Sequence, residues 1–138
     1  MDDIFVGSLM TSPVTTVRAE TPAKEAAAQM IDEGISSVVV VDDDDQLVGI
    51  LTSTDFVAIA AAPKSAASFS VADHMTSDVV TTTAGASIED VADLLIGHSI
   101  HHVPVVDDAE GVVGMVTTTD LTAYLAGAVD AEAARAWT

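Results

Sequence analysis

The sequence predicts an α/β (α+β) fold made of two copies of a β-α-β-β-α unit, packed by pseudo-twofold symmetry. Three observations lead to this prediction: the chain repeats itself at an offset of 65 residues, each copy carries a helical pattern followed by two apolar strands, and 138 residues suffice for one compact module. Between residues 10–58 and 75–123 the repeat needs no gap and holds 20 identities in 49 positions. Because a unit of about 60 residues is marginal alone, we expect the copies to fold together.

Each copy is predicted to contain a β-prone segment, a helix, two strands and a closing helix. In the first copy Thr21-Pro22 opens the helix and Gly34 ends it, since proline suits a first helical turn and glycine suits a helix end. In the second copy Ser87 and Asp90 supply a helix cap. The first-copy elements are expected at about residues 14–17, 23–33, 38–41, 47–51 and 54–61, and the closing helix of the second copy at about 119–126.

A weaker echo extends the repeat backwards, with Ile4-Phe5-Val6 over Phe69-Ser70-Val71. The predicted domain boundaries are a first repeat at 4–61, an Ala/Ser/Pro linker at 62–68, a second repeat at 69–126 and an Ala-rich helical tail at 127–138. Trp137 in this tail is either a packing anchor or an ordinary tail residue.

The chain is strongly acidic, with 4 basic against 22 acidic residues and a net charge of -18. Nucleic acids and anionic membranes are therefore poor partners, since both are bound through Lys and Arg. With 49% hydrophobic residues and a mean hydropathy of +0.44, the chain can bury enough apolar surface to fold, unlike a disordered acidic tail. The absence of cysteine excludes disulfides, thiolate metal sites and a cysteine nucleophile.

The start of the chain, Met1-Asp2-Asp3-Ile4-Phe5, is acidic where a signal peptide would be basic. The longest unbroken apolar runs, such as Val38–Val41, are far shorter than the roughly 18 to 20 residues that cross a bilayer. We therefore expect a cytoplasmic protein without a membrane segment.

Two segments recur at the same place in both copies. One is an Ile-x-x-Val pattern that runs into Val-Val-Asp-Asp, and the other is a Val-Gly pair followed by Thr-x-Thr-Asp; they lie at residues 35–43 and 48–55, and again at 100–108 and 113–120. Together with the turn between them, they make the chain resemble the cystathionine β-synthase (CBS) domain pair, or Bateman module, over about residues 4–126. The resemblance implies a stand-alone pair that binds adenine-containing ligands and often pairs head-to-head or head-to-tail into a disc-shaped dimer.

The segment Gly49–Asp55 ends a strand and starts a helix, so hydroxyls, free backbone N–H groups and a carboxylate converge there. A helix N-terminus favours phosphate, and a carboxylate there can accept hydrogen bonds from both hydroxyls of a ribose. The same Thr-x-x-Asp pattern forms a helix capping box that needs no ligand, and the two interpretations can hold together.

The resemblance assigns roles to the matching positions of each repeat. The acids Asp55 and Asp120 would bind ribose, and the apolar residues Ile50 and Met115 would contact the adenine face. Ribose or phosphate would be bound by the threonines of the two turns: Thr52, Thr54, Thr117 and Thr119. It also implies backbone contacts to adenine, at Val79 and Val80 for the site of Asp55 and at Val14 and Thr15 for the site of Asp120.

In such modules basic residues often hold the phosphates, just before the second strand. Here these positions are Ser36-Ser37 in the first copy and His101-His102 in the second, and neither copy has an arginine there. This departure disfavours ATP in particular. A histidine, with an ordinary pKa of about 6.5, can gain a charge when an anion arrives. We therefore expect the His-lined cleft to accept phosphate better than the Ser-lined one.

Two motifs invite a metal interpretation that the residues favour less. His98-x-x-His101-His102 could place two imidazoles on one helical face, but the proline and valines that follow put the last two in an extended segment. The Asp42–Asp45 run lacks the glycine and closing glutamate of a calcium loop and is expected to be a solvated turn. We expect no metal, with His74 and His98 at the surface or at helix ends.

Three classes of function come into question: enzyme, ligand sensor and assembly domain. Catalysis needs a nucleophile with a positioned base, or two acids in one cleft, and the sequence offers neither, so we expect no enzyme and no cofactor. The leading prediction is a regulatory module that binds AMP or ADP, and ATP less readily, in clefts between two repeats. It would signal by rearranging its conformation or its homodimer, with a separate regulated protein as a further partner.

Two alternatives stay open. The first is a binder of S-adenosylmethionine or methylthioadenosine, because a cationic or neutral ligand meets less repulsion in an acidic protein. The second is a ligand-free dimerisation domain that shares the fold but leaves its clefts empty.

The net charge of -18 predicts a halophilic protein from a high-salt cytoplasm. Self-repulsion destabilises the compact state unless salt screens it, and at about 1 M salt the Debye length is only about 3 Å. The unfolding temperature should therefore rise between low and molar KCl. Thermal unfolding followed by circular dichroism measures this, and a midpoint that does not rise with KCl would refute the hypothesis.

Overall fold

The computed structural model describes residues 4–129. They form two compact units, which are offset from the sequence repeats. The first-repeat unit is residues 14–79, and the second-repeat unit joins residues 4–13 to residues 80–129. Residues 130–138 of the predicted tail, including Trp137, lie outside the described residues.

Both repeats have the predicted β-α-β-β-α order. In chain order the elements are α1 (Val6–Leu9), β1 (Thr16–Val17), α2 (Ala23–Glu33), β2 (Ser37–Val41), β3 (Leu47–Thr52), α3 (Ser53–Ala61), α4 (Ile88–His98), β4 (His102–Asp107), β5 (Gly111–Thr117) and α5 (Thr118–Val129). The first strand of the second copy is reduced to a single parallel bridge between Thr82 and Val105. Over residues 4–129, no helix combines the length and the apolar character needed to cross a bilayer.

β2 is the central strand of the first-repeat unit. It pairs in parallel with β1 and antiparallel with β3, which places Val39 opposite Ile50. The four consecutive valines of this strand, Val38–Val41, are all buried, as a continuous apolar run predicts. Ala26 and Met30 of α2 belong to the same buried core as Val38 and Val40 of β2.

The residues that flank α2 explain where it begins and ends. Pro22 is the N-cap residue, one position before the first helical turn. Gly34 adopts a φ of +66°, a left-handed conformation that glycine takes without strain, and its N–H donates to the Ile31 carbonyl at 3.2 Å. In the second copy Ser99 takes the same place with a φ of +54°, so α4 ends in the same way without glycine.

The second-repeat unit contains the antiparallel hairpin of β4 and β5, with α4 and α5 packed against it. The predicted cap of α4 is confirmed, because Ser87 Oγ accepts a hydrogen bond from the Asp90 N–H at 3.1 Å. Val91 and Leu95 of α4 are buried in one core with the inward-facing valines of the hairpin.

Each hairpin turn is held by its first aspartate. Asp42 Oδ1 accepts hydrogen bonds from the N–H groups of Asp44 and Gln46 at 2.9 and 3.0 Å. Asp107 Oδ2 does the same for two N–H groups of the second turn, at 2.9 and 3.0 Å. These local side-chain bonds stabilise both turns.

The segment that leads into each repeat packs on the body of the other repeat. In the second-repeat unit the Val6 N–H donates to the Ala86 carbonyl at 2.9 Å, and in the first-repeat unit the Val71 N–H donates to the Thr21 carbonyl at 2.8 Å. The same 65-residue relation recurs in two antiparallel bridges, Thr11–Met115 and Ile50–Thr76. The weak backward echo of the sequence repeat is thus a structural repeat, and this exchange of segments offsets the units from the repeats.

Gly49 and Gly114 allow these leading segments to approach the hairpins closely. A Cβ added at Gly114 would lie 2.5 Å from Met10 Sδ and 3.1 Å from the Thr11 carbonyl oxygen. At Gly49 it would lie 2.6 Å from Met75 Sδ. The repeated Met-Thr and Val-Gly motifs are therefore the two halves of one contact.

We predict that Gly114→Ala lowers the free energy of unfolding by about 1 to 3 kcal/mol, because the added methyl overpacks this contact and the Thr11 backbone cannot move aside as a side chain can. Gly97→Ala is the matched control, since a Cβ at this helical position meets nothing within 4 Å and alanine favours a helix. Urea denaturation measures both. Equal stability of the two variants would contradict the contact.

Candidate functional site

The turn from β3 into α3 is held by the side chain of Asp55. The Thr52 N–H donates to Asp55 Oδ2 at 2.8 Å, and the Thr52 hydroxyl lies 3.4 Å from the same oxygen. Thr52 is the N-cap residue and Asp55 is the third helical residue, so this is the capping box that the sequence offered as an alternative to a ligand site.

The turn from β5 into α5 repeats this geometry. The Thr117 N–H donates to Asp120 Oδ2 at 2.8 Å, and the Thr117 hydroxyl donates to it at 3.1 Å. The Asp120 N–H in turn donates to the Thr117 hydroxyl at 3.2 Å. In both turns the cap uses only Oδ2, and both aspartates are partly exposed. The cap therefore leaves Oδ1 of each carboxylate for other partners.

A neighbouring strand start closes one side of each turn. The Ser53 N–H donates to the Ser36 carbonyl at 3.0 Å, and the Thr118 N–H donates to the His101 carbonyl at 3.1 Å. In the strand register Ser37 lies opposite Thr52, and His102 opposite Thr117; these pairs flank the two turns. The structure thus brings the predicted phosphate positions beside the predicted ribose residues in each unit.

We call these groupings the first site and the second site. The first site is the Thr52–Asp55 turn with Ser36 and Ser37, and the second site is the Thr117–Asp120 turn with His101 and His102. Sequence reasoning missed Ser53 and Thr118, the first residues of the two helices. Their position inside the Thr-x-Thr-Asp motif was the available signal, since the first N–H of a helix lacks an intrahelical partner.

The two apolar residues assigned to adenine lie on the strands that lead into the turns. Ile50 is 7% exposed and pairs with Thr76, and Met115 is 7% exposed and pairs with Thr11. Thr54 and Thr119, by contrast, are exposed at the second position of their helices. The threonines can therefore meet a ligand more readily than the two apolar side chains can.

The residues assigned to the adenine edge divide between the two units. Val79 belongs to the first-repeat unit, as the site of Asp55 does, and it is partly buried. Val80 belongs to the second-repeat unit, so its place beside Asp55 stays a prediction.

Val14 and Thr15 belong to the first-repeat unit, where the Thr15 carbonyl accepts from the Val39 N–H at 3.1 Å and the Thr15 hydroxyl donates to Glu33 Oε1 at 2.6 Å. Their place in the site of Asp120 likewise stays a prediction.

The second site contains a histidine with a perturbed pKa. Burial is the main cause that lowers the pKa of His102 below its ordinary value of 6.5, and the neighbouring His101 lowers it further. The Asp120 carboxylate opposes both by favouring the charged imidazole. The net effect of these three causes is to favour the neutral imidazole of His102.

The remaining histidines lie apart from the turns. His98 is the last residue of α4, and His74 packs edge-on against Phe69 with ring centroids 4.7 Å apart. In the part of the chain that the structure describes, no three His, Cys, Asp or Glu residues are grouped as metal ligands would be.

The chain matches the CBS domain family model twice, at residues 6–62 and 71–127. Among curated proteins it is 33% identical to inosine-5'-monophosphate dehydrogenase of Nitrosopumilus maritimus over 116 residues. That match covers 84% of this chain but only 23% of the dehydrogenase, so the chain spans about a quarter of this enzyme's length.

Two solved structures show the same fold. A CBS domain pair in complex with 5'-methylthioadenosine and S-adenosyl-L-methionine is 31% identical, with a TM-score of 0.85, over 91% of this chain and 98% of that one. The CBS protein CBSX2 in complex with AMP is 24% identical, with a TM-score of 0.74, over 86% of this chain and 93% of that one. With two family matches and one repeated fold, the chain belongs to the CBS domain family as a tandem CBS domain pair.

Proposed function

We propose that this regulatory CBS pair binds adenosine-type ligands at two sites and catalyses no reaction itself. The observation that supports this most is the shared geometry of Asp55 and Asp120. In both turns Oδ2 holds the helix cap at 2.8 Å while the carboxylate stays partly exposed. A carboxylate whose orientation is already fixed loses little entropy when it accepts a ribose hydroxyl.

The helix starts supply the complementary donors. The exposed hydroxyls of Thr54 and Thr119 lie within the first turn of α3 and α5, where the helix dipole favours an anion. The geometry supports a ligand whose ribose binds the carboxylate and whose phosphate binds the start of the helix. Adenine would then contact the backbone of Val79, which lies in the same unit as the first site.

The flanking residues favour few phosphates. The strand starts beside the turns carry Ser36 and Ser37 at the first site and His101 and His102 at the second, with no Lys or Arg among them. Each additional phosphate would therefore add charge that these residues do not neutralise. We place AMP and ADP before ATP for this reason.

S-adenosylmethionine or 5'-methylthioadenosine is the second candidate ligand. The 31% identical CBS pair was solved with both of these molecules. A cationic or neutral ligand also avoids the repulsion that a phosphate meets in a chain of net charge -18. These ligands keep the same ribose contact to Asp55 or Asp120 and leave the phosphate position to another group.

The hydroxyls of the turns are arranged for capping and binding, which supports a module without catalysis. Thr117 donates to Asp120 Oδ2, and this oxygen also accepts the backbone N–H of the cap, so the carboxylate oxygen nearest the hydroxyl is already used for capping. The dehydrogenase relative carries its activity in a chain about four times longer than this match.

We propose that the ligand acts through a homodimer or a separate regulated protein. Val57 on α3 and Leu125 on α5 expose 69% and 63% of their surface, and exposed apolar side chains on helices suit such a contact. A ligand can shift the equilibrium between the assembled and the unassembled state only if it binds these two states with different affinity. A ligand-free assembly domain would show the contact without this dependence.

Asp55→Ala should weaken adenosine binding at the first site by about tenfold or more, because a hydrogen bond to a charged group contributes about 1.5 to 3 kcal/mol. Asp73→Ala is the matched control in the same unit: Asp73 Oδ2 accepts the Ser70 N–H at 2.9 Å in another capping box. Each variant should lose about 0.5 to 2 kcal/mol of stability. Titration calorimetry of both variants with adenosine separates ligand binding from capping. Equal adenosine affinity in the two variants would mean that Asp55 caps the helix and does not bind the ligand.

A calorimetric ligand panel in molar KCl tests the class of ligand. AMP, ADP, ATP, S-adenosylmethionine and 5'-methylthioadenosine share the adenosine group, so at least one should bind with a Kd below about 1 mM. AMP and ADP are expected to bind more tightly than ATP. If none of the five ligands binds with a Kd below about 1 mM, the ligand-free assembly domain becomes the better interpretation of this chain.

A further inference from the structure

An apolar groove lies between α4 and α5 of the second-repeat unit, on residues that neither candidate site uses. Its volume is about 280 Å³, and it is lined by six apolar or aromatic residues and one acid: Ile4, Ile88, Ala92, Leu121, Tyr124, Leu125 and Glu89. Leu125 keeps 63% of its surface exposed here. Pockets for small ligands usually measure about 300 to 1,000 Å³. The groove therefore suits one large side chain better than a whole adenosine molecule.

The first-repeat unit shows where the chain goes after the equivalent pair of helices. Beyond α3 it turns back, and a short 3-10 turn, Ala66–Ser68, contacts α2. The carbonyl of the next residue, Phe69, accepts the Ala23 N–H at the start of α2 at 2.9 Å. Ile59 of α3, the equivalent of Tyr124 in the repeat, is only 3% exposed. In this unit the segment after the closing helix thus lies against the preceding helix.

The tail of the chain is the equivalent segment of the second repeat. By the 65-residue offset, residues 127–133 correspond to the returning segment at residues 62–68. α5 has 12 residues where α3 has 9, so the second closing helix continues to Val129. Residues 130–138 are therefore the part of the tail that can turn back over α4.

The length and the chemistry of the tail both fit this groove. The eight residues that follow Val129 reach as far as Trp137 and can span about 26 Å when extended. Leu121 lies only about 12 Å back from Val129 along the helix. Beyond α5 the tail contains one aromatic residue, Trp137, and one cation, Arg135. That cation complements Glu89, the exposed acid at the edge of the groove.

We propose that the tail folds back on the second-repeat unit and that Trp137 occupies the groove between α4 and α5, with Arg135 beside Glu89. The indole covers Tyr124 and Leu125, and an aromatic side chain can bury about 150 to 250 Å² in this way. Residues two apart in an extended segment face the same side. Both tail side chains can therefore contact this surface together.

Fluorescence of the full chain reports this contact, because Tyr124 and Trp137 are its only tyrosine and its only tryptophan. Excitation of Tyr124 should transfer energy to Trp137, and the indole emission should be blue-shifted from that of the urea-unfolded chain. Leu125→Gln removes apolar surface from the groove. It should therefore shift the emission towards the unfolded value and reduce the energy transfer. Ile96→Gln is the matched control and should change neither signal, since Ile96 is 78% exposed on α4 outside the groove.

A substitution in the tail tests the same contact without changing the groove. Arg135→Glu places a second carboxylate beside Glu89, so it should shift the indole emission towards the unfolded value. Adding Glu89→Arg reverses both charges and should restore the blue shift. Because salt screens exposed charges, both variants are compared at the lowest salt concentration at which the chain stays folded. This pair tests the inference even if Leu125→Gln does not fold.

Dilution distinguishes the chain's own tail from the tail of a second copy. A blue shift and an energy transfer that persist in the monomer support the inference, whereas their loss on dissociation of a dimer would overturn it. Indole emission equal to that of the unfolded chain, or emission unchanged by both Leu125→Gln and Arg135→Glu, would also overturn it. No adenosine compound enters these measurements, so each such failure leaves the proposed function standing. Only one consequence rests on the proposed function, namely that the tail and a partner compete for Leu125.

Discussion

The geometry of both candidate sites depends on one type of hydrogen bond, which is formed once in each repeat. In both repeats the N–H of a threonine at the end of a strand donates to the carboxylate of an aspartate three residues on, at 2.8 Å. This bond fixes the place where strand becomes helix, and it aims the carboxylate at the same time. Capping and ligand binding are therefore not rival explanations of Asp55 and Asp120, because the cap uses one oxygen and leaves the other.

The scaffold around these turns depends on a second repeated contact. Met10 and Met75 lie against glycines that admit no Cβ, and each methionine comes from the opposite sequence repeat to its glycine. The strand that carries Ile50 or Met115 into a turn is thus pinned by a segment from outside its own repeat. Each site stands on two stretches of chain that are far apart in sequence.

Much of this fold could be predicted because the sequence contains two copies of the same unit. The bounds of α2 follow from Gly34, and the cap of α4 follows from Ser87, since both residues act locally. The exchange of leading segments could not be predicted. Met10-Thr11 and Met75-Thr76 are identical, as are Gly49 and Gly114, so these residues alone do not indicate which hairpin each leading segment contacts.

The candidate sites show the same division between local and distant information. Asp55 and Thr52 were predictable because their spacing alone forms a capped turn. The hairpin of the second copy was predictable from its two apolar runs, whereas its register, which pairs His102 with Thr117, comes from the structure. The low exposure of Ile50 was not predictable, because it arises from the distant bridge to Thr76.

A crystal structure of the full chain grown with adenosine tests the central claim most directly. We expect density for one nucleoside at each turn, with ribose hydroxyls within hydrogen-bond distance of the Asp55 and Asp120 carboxylates and both caps still intact. Well-ordered turns with only water at the two carboxylates, at an adenosine concentration of several millimolar, would contradict it.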